Sequence, residues 1–283
     1  VDDDGNYLAW YRLNRSQKLD VKVIGSGKLY TQTKVKNPNL DSNLRKKYTQ
    51  SDKYWEKDHP QIQAKLTEIL GNTQEVREKV KLIYQYVVNT LKYDPNRLNE
   101  KIERLGAVTV LSNPTQAVCM EFTDLFIALA RAANIPAREL DGFAYTANTT
   151  LRPLSLTKDI LHAWPEYWDD KRGWVMIDPT WENTTQGVDY FNKFDLNHFA
   201  FVVKGSSSQA PVPAGSYKYK EQDSHDVKVI LSENDFLGSP RLEVQVTAPS
   251  PILAGFPSKI KVKFTNLGNS VFPSNNFALQ SSK

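Results

Sequence analysis

The sequence predicts an α+β protein in which helices pack on one side of an antiparallel sheet, with β-rich extensions at both ends. In the core, two amphipathic helical runs are followed by a series of short alternating strands. The apolar content is 40 %, with 11 % aromatic residues, enough for a substantial core in a chain of 283 residues. No stretch of about 18 apolar residues occurs, so nothing here reads as a membrane span.

Each element has a local reason. Residues Leu8 to Lys36 read as strands, because Leu19, Val21 and Val23 alternate with charged residues and Gly25-Ser26-Gly27 is a turn signal. From Gln61 the pattern becomes helical. Asn72-Thr73-Gln74-Glu75 has capping-box spacing, with Asn72 expected as N-cap. Val76, Val80, Ile83, Val87 and Leu91 follow at helical intervals, and the helix should stop near Tyr93, before Asp94-Pro95. The next helix is expected to start at Ala117 to Cys119 and to bury Phe122, Leu125, Phe126, Leu129 and Ala133. Asn134-Ile135-Pro136 should end it, with Asn134 taking a left-handed cap. Strands are then expected at Ala137–Tyr145, His162–Trp168, Gly173–Asp178 and His198–Val203. Short strands recur at Leu242–Val246 and Lys259–Phe264, too few for a complete sandwich.

These patterns divide the chain into a β-rich segment 1–46, a core 47–210, and a linker with C-terminal strands 211–283. The Ser- and Pro-rich stretch 205–215 marks the second boundary. Neighbouring β-sandwich domains would complete the end segments. The chain opens on Val1-Asp2-Asp3-Asp4-Gly5, as a mature form or an excised piece would. Net charge is +4, and between Trp10 and Pro60 there are twelve Lys/Arg against five Asp/Glu. With no nucleic-acid motif beside them, these cations read as a solvated face. Asp2-Asp3-Asp4-Gly5-Asn6 does not fit a calcium loop: the glycine is misplaced and Leu13 stands where a glutamate is needed. No metal or cofactor motif is present. Three sequons, at Asn14, Asn148 and Asn183, are of the kind that arises by chance.

The chemistry centres on the single cysteine, Cys119, which cannot form an internal disulfide. A cysteine nucleophile needs its thiolate near neutral pH, and a helix N-terminus or an adjacent imidazolium supplies the positive charge. Of the four histidines, His162 is the candidate partner. The segments 162–168 and 173–178 flank the turn Asp169-Asp170-Lys171-Arg172. If they form a hairpin whose partners sum to about 340 or 342, His162 lies opposite Asp178 or one diagonal step away, on the same face. That is the base-plus-orienter arrangement of a triad, although a hydrogen-bonded pair in a hairpin would look the same. Pro165 cannot donate to a ladder and implies an edge position or a bulge. His198, at the head of an apolar strand, reads as a core or hairpin-end histidine, and His59 and His225 lie in polar surroundings.

Ala117-Val118-Cys119-Met120-Glu121-Phe122, Ala128 to Arg138, Asp141-Gly142-Phe143, His162-Ala163-Trp164, and Gly173-Trp174 through Asp178-Pro179-Thr180-Trp181 together resemble the transglutaminase-like superfamily, over roughly Lys47 to Gly205. The resemblance implies a papain-like core, with a cysteine on a helix N-terminus packed against an antiparallel sheet carrying the histidine and aspartate. It implies that Cys119, His162 and Asp178 are a catalytic triad. The family often has glycine just before the cysteine. Here Ala117 and Val118 stand there, and a required positive φ at 117 would distort the site. Gln116 is a candidate oxyanion donor beside the Cys119 N–H. Tyr93, Trp164 and Trp181 are candidate cleft-lining residues, the tryptophans equally at home in a core. The expected activity is thioester-mediated acyl transfer at amide bonds of a protein or peptide, with no cofactor. Hydrolysis is favoured, crosslinking transfer to an amine is the alternative, and an inactive scaffold or cell-surface binding module is the non-enzymatic reading. An extracellular or cell-envelope location fits better than a cytoplasmic one. The connection Ala144 to Ile160 is expected to overhang the site.

Overall fold

The computed structural model describes residues 1–17, 19, 21–29, 38–99, 103–146, 161–213, 227, 229–230, 242–247 and 260–268. The chain separates into two compact units, Val1–Ile24 with Leu29–Val229, and Gly25–Lys28 with Ile230–Lys283.

The first unit is α+β. Helices α1 (Ser42–Lys47), α2 (Pro60–Leu70), α3 (Val76–Thr90), α4 (Ala107–Ser112) and α5 (Cys119–Ala132) precede strands β1 (Ala137–Ala144), β2 (Leu161–Asp169) and β3 (Gly173–Met176). Helix α6 (Pro179–Thr184) and strand β4 (His198–Lys204) follow. The sheet is antiparallel, in the order β3-β2-β1-β4.

Helix α5 is the centre of the core. Leu125, Phe126, Leu129 and Phe122 are buried, and so is nearly every other residue of the helix. Each fully buried phenylalanine contributes roughly 2–3 kcal/mol of apolar burial. Val80, Ile83 and Val87 of α3, Ile62 and Leu66 of α2, and Ala137, Tyr167 and Val175 of the sheet join the same cluster. The helix ends as its sequence foretells. Asn134 has φ 60°, the Asn134 N–H donates to the Arg131 carbonyl, and the Ile135 N–H to that of Ala130. That is the paired pattern of a Schellman ending. Arg131, fully buried on the Trp55 ring, then donates to the carbonyls of Gln50, Ala137 and Gly205, tying three segments to the helix.

A second buried group is ionic. Arg104 pairs with Asp124 of α5 and Glu139 of β1, and Lys204 of β4 pairs with Glu139 and Asp141. The Trp55 Nε1–H donates to Asp124 at 2.9 Å. Buried charges persist only when paired and hydrogen-bonded, so this network fixes α5 against β1 and β4.

The structure departs from the sequence reading in four places. Helix α3 starts at Val76, with Glu75 rather than Asn72 as its N-cap, because the Glu75 carboxylate itself accepts the Glu78 N–H at 2.7 Å. Among the described residues between Leu8 and Lys36 there is no strand. Leu19, Val21 and Val23, the alternating residues, are 44–74 % exposed rather than buried on one face. Pro165 lies in the central strand β2, neither at an edge nor at a bulge, and the β1–β2 register runs unbroken past it. Its carbonyl accepts the Ile177 N–H, so its missing donor also faces β3, just where that ladder ends. Finally, β3 ends at Met176, so Asp178 lies beyond the sheet as the N-cap of α6.

Residues 2–6 fold onto β4, the edge strand. The Asn6 side chain donates to the Val203 carbonyl at 2.7 Å and accepts the Val203 N–H at 2.9 Å. Asp4 accepts the N–H groups of Gly205 and Ser206. Asp2 and Asp4 thus bind backbone donors, while Asp3 pairs with Lys47. In the second unit, β5 (Leu242–Thr247) and β6 (Lys261–Asn266) pair antiparallel.

Candidate active site

Cys119 is the first residue of α5, in the turn where the helix N-terminus places its partial positive charge. The segment leading to it is held from several sides. The Asp94 N–H donates to the Ala117 carbonyl and the Lys92 N–H to that of Pro114. The buried Glu121 carboxylate accepts the N–H groups of Val118 and Leu105, both at 3.0 Å, and pairs with Arg97 at 2.9 Å. Arg97 also donates to the Gln116 carbonyl. Valine has no side-chain acceptor, so only the Glu121 half of a capping box exists here. The backbone does not need glycine before the cysteine: Val118 has φ −117°, and Ala117 is not among the positive-φ residues. Cys119 itself is 5 % exposed. One turn later, the Thr123 hydroxyl donates to the carbonyl of Ala163, the residue after His162, which fixes the start of α5 against the start of β2.

The β2–β3 pairs sum to 342, and that register, carried two residues past the end of β3, sets Asp178 one diagonal step from His162. His162 Nε2 lies 2.7 Å from Asp178 Oδ2, and both side chains are buried. Asp178 Oδ1 accepts the Trp181 N–H, capping α6. Burial opposes ionisation of Asp178, but His162 and His198 outweigh it and bring its pKa down to about 2. An ionised carboxylate only accepts, so His162 Nε2 carries the hydrogen. Its Nδ1 is buried with no hydrogen-bond partner.

His198, expected as a core or hairpin-end histidine, is buried at the head of β4 and also reaches this site. Its Nε2 lies 3.0 Å from the same Asp178 Oδ2, and its Nδ1 lies 2.8 Å from Asp195 Oδ1. A bulge puts it there. The β1–β4 register shifts between Asp141 and Gly142, and one extra β4 residue, Phe201, is accommodated. Below the bulge, Gly142 pairs with Ala200 and Ala144 with His198, while Gly142 also faces His162 across β1–β2. An unbroken register would turn His198 to the opposite face. Gly142 is the one sequence signal: a Cβ there would lie 2.0 Å from the Phe199 carbonyl oxygen.

The other sequence candidates are placed less directly. Trp164 and Trp181 are fully buried and stack 5.7 Å from the His162 ring, so they wall the histidine rather than line an open cleft. Large aromatic faces gain more from packing than from solvent. Gln116 is exposed, and Tyr93 is half-buried and bridged to Ala117. The connection expected to overhang the site lies, from residue 147 to 160, outside the described residues, as does the Asn148 sequon. Asn183 is held inside by the carbonyls of Val88 and Leu91.

His162, Asp178 and His198 offer ligand atoms within 4.8 Å of one another. Three donors on a tetrahedral ion with bonds near 2.1 Å would stand about 3.4 Å apart. Both histidine nitrogens here are closer than that to one oxygen, at hydrogen-bond separation.

A cysteine opening a buried helix packed on an antiparallel sheet, whose second strand carries a carboxylate-bound histidine, belongs to a papain-like fold. Residues 63–179 match the model of the Transglutaminase-like superfamily, and this core of the chain is transglutaminase-like. The protein-glutamine gamma-glutamyltransferase of Pseudomonas aeruginosa is 28 % identical over 85 residues, which are 30 % of this chain and 13 % of that enzyme. A candidate cysteine protease from Cytophaga hutchinsonii is similar in structure, with TM-score 0.47 and 18 % identity, over 83 % of this chain and 60 % of that one. The periplasmic domain of TgpA from Pseudomonas aeruginosa aligns with TM-score 0.38 and 22 % identity, over 52 % of each chain. The chain thus spans only part of the length of each relative.

Proposed function

We propose that this chain is a cysteine-dependent acyl-transfer enzyme acting on amide bonds of a protein or peptide through a thioester. The observation that carries this reading is the state of His162. Its Nε2 is committed to the buried Asp178 carboxylate, while its Nδ1 is left without a partner at the end of β2 that Thr123 fastens to the start of α5. In the reaction, Nδ1 takes the Cys119 proton and the thiolate attacks the amide carbonyl. The imidazolium protonates the departing amine, leaving an acyl-thioester. Asp178 holds the tautomer and stabilises the imidazolium. The N–H groups at the start of α5, with Gln116 as a further donor, would bind the oxyanion.

Water as acceptor gives hydrolysis, the reading we favour. Transfer to an amine gives crosslinking, and the likeness to a protein-glutamine gamma-glutamyltransferase supports that alternative. An extracellular or envelope setting accords with the periplasmic domain among its structural relatives. Among the described residues, no helix is long and apolar enough to cross a membrane.

Because Cys119 is the only cysteine, alkylation by iodoacetamide reads this site alone. Rapid labelling at about pH 6, slowed in His162→Ala, is expected of a low-pKa thiol. Labelling no faster than that of a free thiol, or only after unfolding, would leave the scaffold reading standing. Mass spectrometry of the acyl product, carboxylic acid or substituted amide, with and without an added amine then separates the two acceptors.

A further inference from the structure

The bond pattern around His198 determines its charge. Asp178 and Asp195 both sit at hydrogen-bond distance from its ring, one at each nitrogen. A neutral imidazole has one N–H and one lone pair, and a lone pair pointed at a carboxylate oxygen is repelled. Only the imidazolium satisfies both contacts. Both oxygens of Asp178 are engaged: Oδ2 takes both histidines and Oδ1 takes the Trp181 N–H.

We infer that His198 is a positioning residue of the proposed reaction: clamped between Asp178 and Asp195, it is an imidazolium that neutralises Asp178 from behind and limits how strongly that carboxylate holds the proton on His162. The inference rests on the proposed role of Cys119, His162 and Asp178. The titratable groups facing His198 are Asp178 from the head of α6, Asp195 and Tyr190 from the segment before β4, and His162 from β2. Trp164, Trp181 and Phe194 close the remaining sides without charge. Burial works against a charged His198, and the bonds to Asp178 and Asp195 outweigh it, so its pKa stands above the usual histidine value. Asp195 keeps some exposure, so the chain His162–Asp178–His198–Asp195 runs from the buried site towards solvent.

Without His198, the Asp178 charge would act on His162 alone. The two histidine rings are 5.8 Å apart. A unit charge at that separation, in a medium of effective dielectric near 20, shifts a neighbour's pKa by at most about two units. Cys119 should feel part of that. In His198→Gln, which keeps an N–H for Asp178 but loses the charge, the midpoint of the iodoacetamide pH–rate profile should rise by about one unit. A merely structural role would change the amplitude and thermal stability and leave the midpoint in place. A wild-type midpoint well below that of a free thiol, unchanged in His198→Gln, would overturn the inference and spare the proposed function. If the wild-type thiol titrates like a free one, the proposed function fails instead. Nitrogen-15 spectra of the wild-type protein, which has four histidines, judge His198 independently of any variant. Two protonated ring nitrogens at neutral pH are expected, and a neutral ring would overturn the inference.

Discussion

Gly142→Ala tests whether the bulge that aims His198 is built on the absence of one side chain. The new Cβ would lie 2.0 Å from the Phe199 carbonyl oxygen and 2.8 Å from the Ala200 Cα. Real Cβ contacts start near 3.0 Å, so β1 and β4 must part by roughly 1 Å at the bulge. The obstacle is backbone, which cannot rotate away as a side-chain tip would. Overpacking costs about 1–3 kcal/mol, and a backbone clash belongs at the upper end of that range. For a unit of this size, about 3 kcal/mol lowers Tm by roughly 6–12 °C. Urea unfolding followed by tryptophan fluorescence should show a lower midpoint with an unchanged slope. The parting strands also carry His198 away from Asp178, so the variant should reproduce the upward shift of the alkylation midpoint expected of His198→Gln. A variant with wild-type urea midpoint and wild-type alkylation profile would refute the link between bulge and site.

Two further outcomes follow from buried carboxylates. The Asp178 pKa is lowered on folding from 3.8 to about 2, so its contribution to stability is present above pH 4 and is lost as pH falls from about 4 to 2. That contribution is about 2 kcal/mol, and the stability gap between wild type and Asp178→Asn should close over this window in a pH series of urea unfolding curves; parallel curves would contradict the assignment. Glu121→Gln replaces one acceptor oxygen with a donor against the Val118 N–H, the Leu105 N–H or Arg97. It should cost about 2–4 kcal/mol by leaving a buried donor or the guanidinium unpaired, and it should slow Cys119 alkylation. Wild-type stability would show that Glu121 does not brace the segment before the cysteine.

Much of this fold can be read from local sequence, because local rules govern it. The period of Phe122, Leu125, Phe126 and Leu129 and the stop at Asn134 define α5 with no knowledge of its neighbours. The turn Asp169 to Arg172 fixes the β2–β3 register, and parity then brings His162 to Asp178. What could not be read depends on contacts distant in the chain. His198 reaches Asp178 only through a one-residue bulge, and Gly142 is a weak announcement of it. Pro165 suggested an edge because its lost donor looks costly until β3 is seen to end beside it. The alternation of Leu19, Val21 and Val23 gave a strand pattern, yet among the described residues of this stretch there is no strand. Glu121 looks like an ordinary first-turn acid of a helix, yet its carboxylate is bonded to residues 16 and 24 positions earlier in the chain, Leu105 and Arg97.

The short contact between Asn6 and Val203 bears on how the sheet edge is closed. β4 is an outer strand of the sheet, and its outward N–H and C=O would invite another strand to add on. At Val203 the side-chain amide of Asn6 fills both positions, imitating one rung of a ladder with a group that has no further rung to offer. Asp4 does the same for the next donors, at Gly205 and Ser206. Residues 2–6 thus occupy edge positions of β4 that an added strand would need.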